Sequence, residues 1–356
     1  MPESGKTAPR IAVDAMGGDH GPAVIVPGAL QGARTSHAAL VLVGDKEQID
    51  AALAVTPHQD IDVQVVATTE VITMHDHPAQ AVRRKRNSSI NVALQLVRDG
   101  QAEAMISAGN SGAVMTASLM ILGRVKGIER PAIATHLPSL TKKTLVLDLG
   151  AVTDPRPTNM IQFALMGQVY CERVLDIANP TVGLLSNGEE PTKGNLFVQT
   201  VHPLLAQTPG LNFIGNIEGK DVPMGTVDIV VTDGFTGNVV LKTAEGVVSM
   251  LTTMLRQEFT STWPRKLAAL MLRPGIKKLR RDLDYAETGG APLLGVNGVV
   301  IVAHGRSSER AIETALGAAV RSIRHDLAGG IADRIARVSP VIEAEAEIAE
   351  PVEAPH

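Results

Sequence analysis

The chain has 356 residues, of which 44% are hydrophobic and 2% aromatic, so we expect a globular protein with an aliphatic core. Few aromatic residues leave few stacking surfaces for single-stranded nucleic acid, which argues against a nucleic-acid-binding protein. The formal net charge of −4 depends on residues 339–356, whose five glutamates have no lysine or arginine beside them, and without them it would be +1. No apolar stretch reaches the roughly 18 residues of a transmembrane helix, so a cytoplasmic protein is expected.

Apolar runs that end in glycine-rich polar loops recur in order along the chain. The loops read DAMGGDHGP at 14–22, SAGNSG at 107–112, SNGEEPTKGN at 186–195 and AHGRSS at 303–308. Helical stretches separate the runs, and this pattern predicts a Rossmann-like three-layer α/β/α sandwich with a mostly parallel sheet. Ligands of such sheets bind beyond the carboxyl ends of the strands, so the loops should converge on one cleft. For any single loop the alternative is that its glycines only permit a turn.

The domain organisation follows from length and composition. We predict one α/β domain over residues 10–330, carrying a helical amphipathic extension at 247–285 that contacts a membrane, a partner or a second subunit. The tails at 1–9 and 339–356 contain few large apolar residues, so both are expected to be disordered.

The segment DIVVTDGFTGNVVLKTAEG at 228–246 combines a buried strand, a glycine-rich loop and the start of a helix. We predict tight turns at Gly234 and Gly237. The helix should open after Asn238, where its first N–H groups can hold an anion.

A phosphate-like anion is the ligand that the polar loops favour, held by backbone N–H groups at 110–112 and by Lys193. The chain has no GxxxxGK[ST] nucleotide loop, no GxGxxG after its first strand and no GxSxG serine elbow. His75 and His77 lack a third ligand at a suitable spacing, so we expect no metal and no cofactor. The predicted phosphate-binding residues are Ser107, Gly109, Asn110, Ser111, Gly112 and Asn195.

Cys171 is the single cysteine, which excludes internal disulfides and cysteine-clustered metal sites. It lies in the helical pattern IQFALMGQVYCERVL. We interpret it as a small buried hydrophobic residue and not as a nucleophile.

A basic amphipathic stretch runs from 259 to 281, and Pro264 and Pro274 should divide it into short helices. Its apolar and basic residues together suit an anionic membrane surface or an acidic partner. The alternative is a helix pair packed on the body or across a dimer. A second basic run, RRKR at 83–86, is a further candidate docking site for an acidic protein. The proposed contact residues of the first stretch are Trp263, Arg265, Lys266, Leu267, Leu270 and Met271.

Six motifs in register give the chain a specific resemblance. They are IAVDAMGGDHGP at 11–22, SAGNSGA at 107–113, GEEPTKGN at 188–195, FIGNIEG at 213–219, DGFTGNVVLKTAEG at 233–246 and GGAPLLG at 289–295. This pattern resembles the bacterial fatty acyl-ACP:phosphate acyltransferase family, PlsX, from residue 11 to residue 327.

The resemblance implies a reversible reaction in which acyl-ACP and inorganic phosphate give acyl phosphate and free ACP, the entry to phospholipid synthesis. It implies a fold similar to phosphotransacetylases and isocitrate dehydrogenases, and a homodimer. The enzyme is then expected to be cytoplasmic and peripherally associated with the inner face of the membrane. There it would pass its product to a membrane glycerol-3-phosphate acyltransferase.

Phosphate is itself a competent nucleophile, so this chemistry needs position, charge neutralisation and oxyanion donors instead of a covalent nucleophile. We expect Lys193 to bind phosphate, and Asn238 or the Gly237 amide to face the oxyanion. His20 or Asp233 would accept the phosphate proton or orient Lys193. The alternatives are a loop-fixing turn for Asp233 and a structural hydrogen bond for His20.

Three positions depart from the family pattern, and two other functions compete with it. Val152 stands where the family has Asn, Thr288 where it has Tyr, and Arg306 where it has Ser.

A decarboxylating NAD-dependent dehydrogenase would need clustered aspartates for a metal, which we do not find. A non-catalytic membrane scaffold acting through residues 259–281 would bind vesicles without turnover.

Overall fold

The computed structural model describes residues 8–283 and 289–349. Most of the predicted N-terminal tail, the end of the acidic tail and Thr288 lie outside these ranges. The described chain forms two β-sheets with helices on their faces. The expectation of an α/β fold with mostly parallel strands is confirmed, and the structure adds that the strands divide between two sheets.

The larger sheet has seven strands in the order β3-β2-β1-β4-β12-β11-β5. Its first five strands are parallel, whereas β11 runs antiparallel to both of its neighbours. The central strands are almost uninterrupted apolar runs, as expected for parallel strands covered on both faces. The bounds are β1 Arg10–Asp14, β2 Ala39–Gly44, β3 Val63–Ala67, β4 Ala104–Ser107, β5 Ala132–Ile133, β11 Ala291–Leu294 and β12 Val299–Val302.

The smaller sheet has five strands in the order β6-β7-β10-β8-β9. Only the edge strand β6 is antiparallel to its neighbour. The bounds are β6 Thr135–Leu137, β7 Thr144–Leu147, β8 Thr181–Ser186, β9 Asn212–Glu218 and β10 Ile229–Val231.

Twelve helices are described in residues 8–283 and 289–349, and those that carry buried apolar stripes cover the sheets. They are α1 Pro22–Ser36, α2 Lys46–Ala54, α3 Pro78–Arg84, α4 Ser89–Arg98, α5 Ser111–Ile121, α6 Pro157–Val174, α7 Leu196–Gln207, α8 Asp221–Met224, α9 Gly234–Thr260, α10 Trp263–Leu283, α11 Glu309–Arg324 and α12 Leu327–Ala349.

Separate apolar clusters fill the two faces of each sheet. On the larger sheet, α1 and α11 pack on one face and α3, α4 and α5 on the other. On the smaller sheet, α6 and α7 cover one face in a cluster that includes Phe163, and α12 packs on α6, while Val222 of α8 and Leu241 of α9 lie on the opposite face. Because α9 starts on the body and soon leaves it, its first turns belong to the core and the rest does not.

Helices α9 and α10 form a two-helix arm, which we define as residues 246–283. Most of its described large apolar side chains are exposed, with Trp263 at 77% and Met271 at 80%. The predicted break at Pro274 is wrong, because α10 continues through it, whereas the helices do divide just before Pro264, between Thr260 and Trp263. Pro264 lies in the first turn, where a helix does not need the missing N–H. In the part of the chain that the structure describes, no helix is long and apolar enough to span a membrane.

The last helix also differs from the sequence-based expectation of disorder. Helix α12 extends to Ala349, well into the acidic tail that begins at 339. Alternating alanine and glutamate are both strong helix formers, so a helix that starts against α6 can continue through them.

Candidate functional site

The loops that follow β1, β4 and β12 meet at one edge of the seven-stranded sheet. These strands are parallel neighbours, so their carboxyl ends lie side by side. The N–H of Ala303 donates to the Ser107 carbonyl at 2.8 Å, and the N–H of Asp19 donates to the Gly305 carbonyl at 2.8 Å. The expected convergence of these loops is therefore present.

The loop after β1 packs directly on the loop after β4, and Gly17 is the reason it can. A Cβ at this position would lie 2.7 Å from the Gly109 backbone nitrogen and 2.9 Å from Oδ2 of Asp14. No side chain fits there, so the glycine is required for close approach of two backbones.

Beneath these loops lies a buried carboxyl group. The Ser107 hydroxyl donates to Oδ2 of Asp14 at 2.6 Å and accepts from the Gly109 N–H at 3.0 Å. Burial raises the pKa of Asp14, and its hydrogen bonds with Ser107, Ser89 and nearby N–H groups oppose that rise. The Ser107 side chain thus supports the loop.

Asn110 also has a structural task. Its Oδ1 accepts from the Ala113 N–H at 3.1 Å as the N-cap of α5, and its Nδ2 donates to the carbonyls of Thr73 and Asp76. The N–H groups of Ser111 and Gly112 have no acceptor in residues 8–283 and 289–349. The start of α5 therefore offers two backbone donors and the positive end of its dipole.

The smaller sheet contributes the opposite wall through Asp148, which is fully buried after β7. Its Oδ1 accepts from the Ile133 N–H at 3.0 Å, and its Oδ2 accepts from the Val152 N–H at 2.6 Å. Since Ile133 belongs to β5, this carboxyl joins the two sheets, and burial raises its pKa. The Val152 carbonyl also accepts from the Gly234 N–H at 2.8 Å, and its side chain packs against the apolar cluster of the smaller sheet. The departure at 152 therefore preserves these contacts.

The first turn of α9 packs against the same loop. A Cβ on Gly237 would lie 2.0 Å from the Asp148 carbonyl oxygen. The predicted turns at Gly234 and Gly237 are wrong, because both residues are helical. Glycine is needed at both positions because the helix and the loop lie too close together for any side chain.

A cavity of about 470 Å³ lies between the two walls. Its apolar lining comes from both sheets and from α9. Its polar lining comes from the loops at the strand ends and from α9. The apolar residues are Met74, Ile133, Leu149, Leu241, Ala291, Val302 and Ala303. The polar residues are Asp19, Ser111, Thr135, Asn238, Lys242, Glu245, His304 and Arg306.

His304 has a defined tautomer at this cavity. Its Nδ1 accepts from the Arg306 N–H at 3.0 Å, so the neutral ring carries its hydrogen on Nε2. Burial lowers the pKa of His304, and nearby Glu245 opposes that effect while Lys242 adds to it. The ring is therefore an uncharged donor near neutral pH.

The cavity brings together part of the predicted site. Gly109, Ser111 and Asn238 line it, and Asn238 lies beside Gly150, where a Cβ would be 3.8 Å from its Cγ. Asp233 caps α9, because its Oδ1 accepts from the Thr236 N–H at 2.8 Å and its Oδ2 from the Thr236 hydroxyl at 2.7 Å. Asp233 thus has the loop-fixing contacts of the alternative interpretation.

Lys193, Asn195 and His20 are not among the residues that line this cavity. Lys193 lines a second depression of about 500 Å³ with Glu189, Glu190 and Glu218, on a loop that follows β8, the neighbour of β10. Asn195 caps α7 by accepting from the Val198 N–H at 2.9 Å, and His20 is exposed.

The second depression also borders three carboxylates, those of Glu189, Glu218 and Asp221, whose ligand atoms lie within 4.8 Å of one another. Lys220 forms ion pairs with Glu218 and with Glu189, the latter at 3.5 Å. Because these carboxylates surround it, the depression repels an added anion unless lysines neutralise them.

The interpretation of Cys171 as a buried residue is confirmed, and burial raises its pKa to about 12.

Sequence reasoning missed Lys242, Glu245 and His304. Lys242 and Glu245 follow Asn238 at helical spacings of four and seven, a signal that was present in the motif at 233–246. Lys242 donates to both carboxylate oxygens of Glu245 at 3.1 Å.

Comparison with known proteins finds close sequence relatives. The profile of a family described as "Fatty acid synthesis protein" matches residues 9–329. The chain is 52% identical over 310 residues to a protein named phosphate acyltransferase from Desulfitobacterium hafniense, covering 86% of this chain and 92% of the relative. It is 47% identical over 326 residues to a protein of the same name from Pelobacter propionicus, covering 92% and 94%.

Solved structures share the fold at low sequence identity. A phosphotransacetylase from Streptococcus pyogenes aligns with a TM-score of 0.60 at 16% identity, covering 89% of this chain and 94% of that one. A 4-hydroxythreonine-4-phosphate dehydrogenase from Klebsiella pneumoniae aligns with a TM-score of 0.51 at 15% identity, covering 90% and 100%. Since the two neighbours catalyse different reactions, this likeness concerns the architecture alone.

Proposed function

The chain belongs to the phosphate acyltransferase family, and from this premise we propose that it transfers a fatty acyl group from acyl-ACP to inorganic phosphate. The observation that carries the proposal is the cavity between the sheets. It joins an apolar wall, suited to the first carbons of an acyl chain, to Ser111 at the start of α5, whose N–H has no acceptor in the described residues. The acyl phosphate product would serve phosphatidic acid synthesis.

The reaction exchanges one bond for another. A phosphate oxygen attacks the thioester carbonyl, a carbon–oxygen bond forms, and the carbon–sulfur bond of acyl-ACP breaks. The carrier leaves as a thiol, taking up the proton that phosphate gives up. Because phosphate is the nucleophile, the buried Cys171 is not required, and the protein supplies position and charge stabilisation.

Phosphate belongs at the polar end of this cavity. The N–H groups of Ser111 and Gly112 point from the positive end of α5 and lack acceptors in the described ranges, and such helix starts bind phosphate readily. Ser111 can add its hydroxyl. The side chains of Ser107 and Asn110 hold these donors in place from behind.

Asn238 is placed to stabilise the oxyanion of the tetrahedral intermediate, since its amide is exposed at the cavity next to the α9 start. Such a donor is typical of acyl-transfer sites.

Lys193 and His20 remain proposed catalytic residues, although neither lines the cavity. Lys193 would contribute from the neighbouring loop after β8. If Lys193 binds phosphate, replacing it with alanine raises the KM for phosphate. An unchanged phosphate dependence would remove Lys193 from the site.

We propose that the arm is the surface through which the protein binds its partners. Its exposed apolar residues and basic side chains suit a second copy of the chain and an anionic membrane surface. Peripheral binding would bring the acyl phosphate to a membrane glycerol-3-phosphate acyltransferase. Arg83, Arg84 and Arg86 are exposed, whereas Lys85 pairs with Asp76 at 2.6 Å, so these three arginines are available to an acidic carrier.

The test is phosphate-dependent release of free thiol from purified long-chain acyl-ACP, with hydroxylamine trapping of the acyl product. Release that requires phosphate and yields a trapped acyl hydroxamate would support the transferase. No release from a well-folded protein with fresh acyl-ACP would contradict it. Vesicle binding without turnover would then favour the scaffold.

A further inference from the structure

Building on the proposed function, we propose that Arg306 binds the inorganic phosphate substrate at the polar end of the cavity. Arg306 lines the cavity together with Gly109 and Ser111.

The charges at the cavity favour Arg306 as the counter-charge for phosphate. Lys242 is engaged by both carboxylate oxygens of Glu245 at 3.1 Å. His304 is uncharged near neutral pH, because its Nδ1 accepts a hydrogen bond and its ring is half-buried. Within residues 8–283 and 289–349, the guanidinium of Arg306 has neither a hydrogen-bond acceptor nor an ion-pair partner.

The backbone that carries Arg306 is held on three sides. Its own N–H donates to Nδ1 of His304 at 3.0 Å, and the Ser307 N–H donates to the His304 carbonyl at 2.9 Å. The preceding Gly305 carbonyl accepts from the Asp19 N–H. The side chain therefore starts from a fixed point at the cavity, although its guanidinium is exposed.

An arginine suits this substrate because its planar guanidinium donates two parallel hydrogen bonds to one phosphate group. The amides of Ser111 and Gly112 would bind the remaining oxygens from the other side. Phosphate would then be held between a helix start and a cation, with one oxygen left for attack on the thioester.

The experiment measures the KM for phosphate and the KM for acyl-ACP in wild type, Arg306→Ser and Arg306→Lys. We expect Arg306→Ser to raise the KM for phosphate about tenfold or more, as loss of a charge-assisted hydrogen bond does, with the KM for acyl-ACP unchanged. Arg306→Lys should recover part of the affinity, since it keeps the charge but not the two parallel bonds. Arg310→Ser is the matched control, because Arg310 pairs with Glu313 at 2.7 Å on α11 and does not line the cavity.

A second readout does not depend on turnover. Inorganic phosphate alone should raise the thermal unfolding midpoint of wild type and of Arg310→Ser. The increase should be much smaller for Arg306→Ser. A raised KM for acyl-ACP with normal phosphate dependence would overturn the proposal in favour of carrier docking. Equal phosphate responses in all variants would overturn it too. An inactive wild type that still shows the Arg306-dependent midpoint shift would contradict the proposed reaction and leave the phosphate contact standing.

Discussion

The two ends of α9 have the same secondary structure but opposite surroundings, since the start is packed against the body and the far end is exposed. At its start, Gly234 and Gly237 are buried against the loop after β7, and a Cβ on Gly237 would lie 2.0 Å from the Asp148 carbonyl oxygen. In the arm, a Cβ on Gly246 would meet nothing within 4 Å, and Met254 is 57% exposed. One end is positioned by contact with the body, while the other presents a surface.

This difference separates the residues that set the site from those that meet other molecules. Asn238, Lys242 and Glu245 reach the cavity from the first turns of α9, so any displacement of the helix start moves all three. The apolar side chains of the arm touch little of the described chain, so changing them should leave the cavity intact. Substitutions along α9 can test this division directly.

The largest effect is expected from Gly237→Ala. The added methyl group overlaps the Asp148 backbone, so α9 must shift, at a cost of about 3 kcal/mol in the free energy of unfolding. A shift of about 1 Å at Asn238 lowers kcat/KM about 100-fold. Denaturant unfolding and the thiol-release assay measure the two effects. Wild-type stability and activity would show that the start of α9 is not positioned by this contact.

A smaller and selective effect is expected from Leu270→Glu in α10. Leu270 is 61% exposed, so stability should change by no more than about 0.5 kcal/mol. If the arm binds lipid, the loss of one buried leucine weakens vesicle binding about tenfold or more. Flotation with anionic vesicles measures this, with Trp263→Ala as a second variant.

Val55→Glu is the control for the arm, because Val55 is 83% exposed at the end of α2 on the body. Its flotation should match wild type. Equal flotation of all variants would remove the lipid interpretation and leave a second copy of the chain as the partner of the arm.

The sequence predicted the fold well because its signals are local. Apolar runs such as 40–43 became fully buried strands, and the loops at 107–112 and 303–308 follow neighbouring strands as parallel-sheet topology requires. The division into two sheets was missed. It depends on pairings such as Ile133 with Leu293, which are distant in sequence.

The candidate site was predicted only in part, since a motif shows which residues are present but not where each side chain points. Asn110 and Asp233 were read as ligand or catalytic groups, yet both side chains cap helices. Gly237 was read as a turn residue because close approach to Asp148 has no local sequence signal. His304 could have been found, because it lies two residues beyond the buried end of β12.

The buried carboxyl group under the site gives a pH prediction. Burial raises the pKa of Asp14 in the folded protein, so the folded state binds its proton more tightly than the unfolded state. Stability should therefore fall as pH rises above about 3.8 and through the folded pKa, by up to about 1.4 kcal/mol per pH unit. Asp14→Asn should flatten this slope in denaturant titrations, whereas an unchanged slope would show that Asp14 does not titrate in this window.

The smallest effect completes the comparison along α9. Gly246→Ala adds a methyl group where the described chain leaves open space, and alanine favours the helix over glycine by about 1 kcal/mol. We therefore expect a stability gain of that size, opposite in sign to Gly237→Ala, with unchanged kcat/KM. Denaturant unfolding measures the gain, and sedimentation reports the oligomeric state. A loss of stability together with dissociation would show that a second copy of the chain packs closely against Gly246, so that this glycine, like Gly237, is needed for close approach.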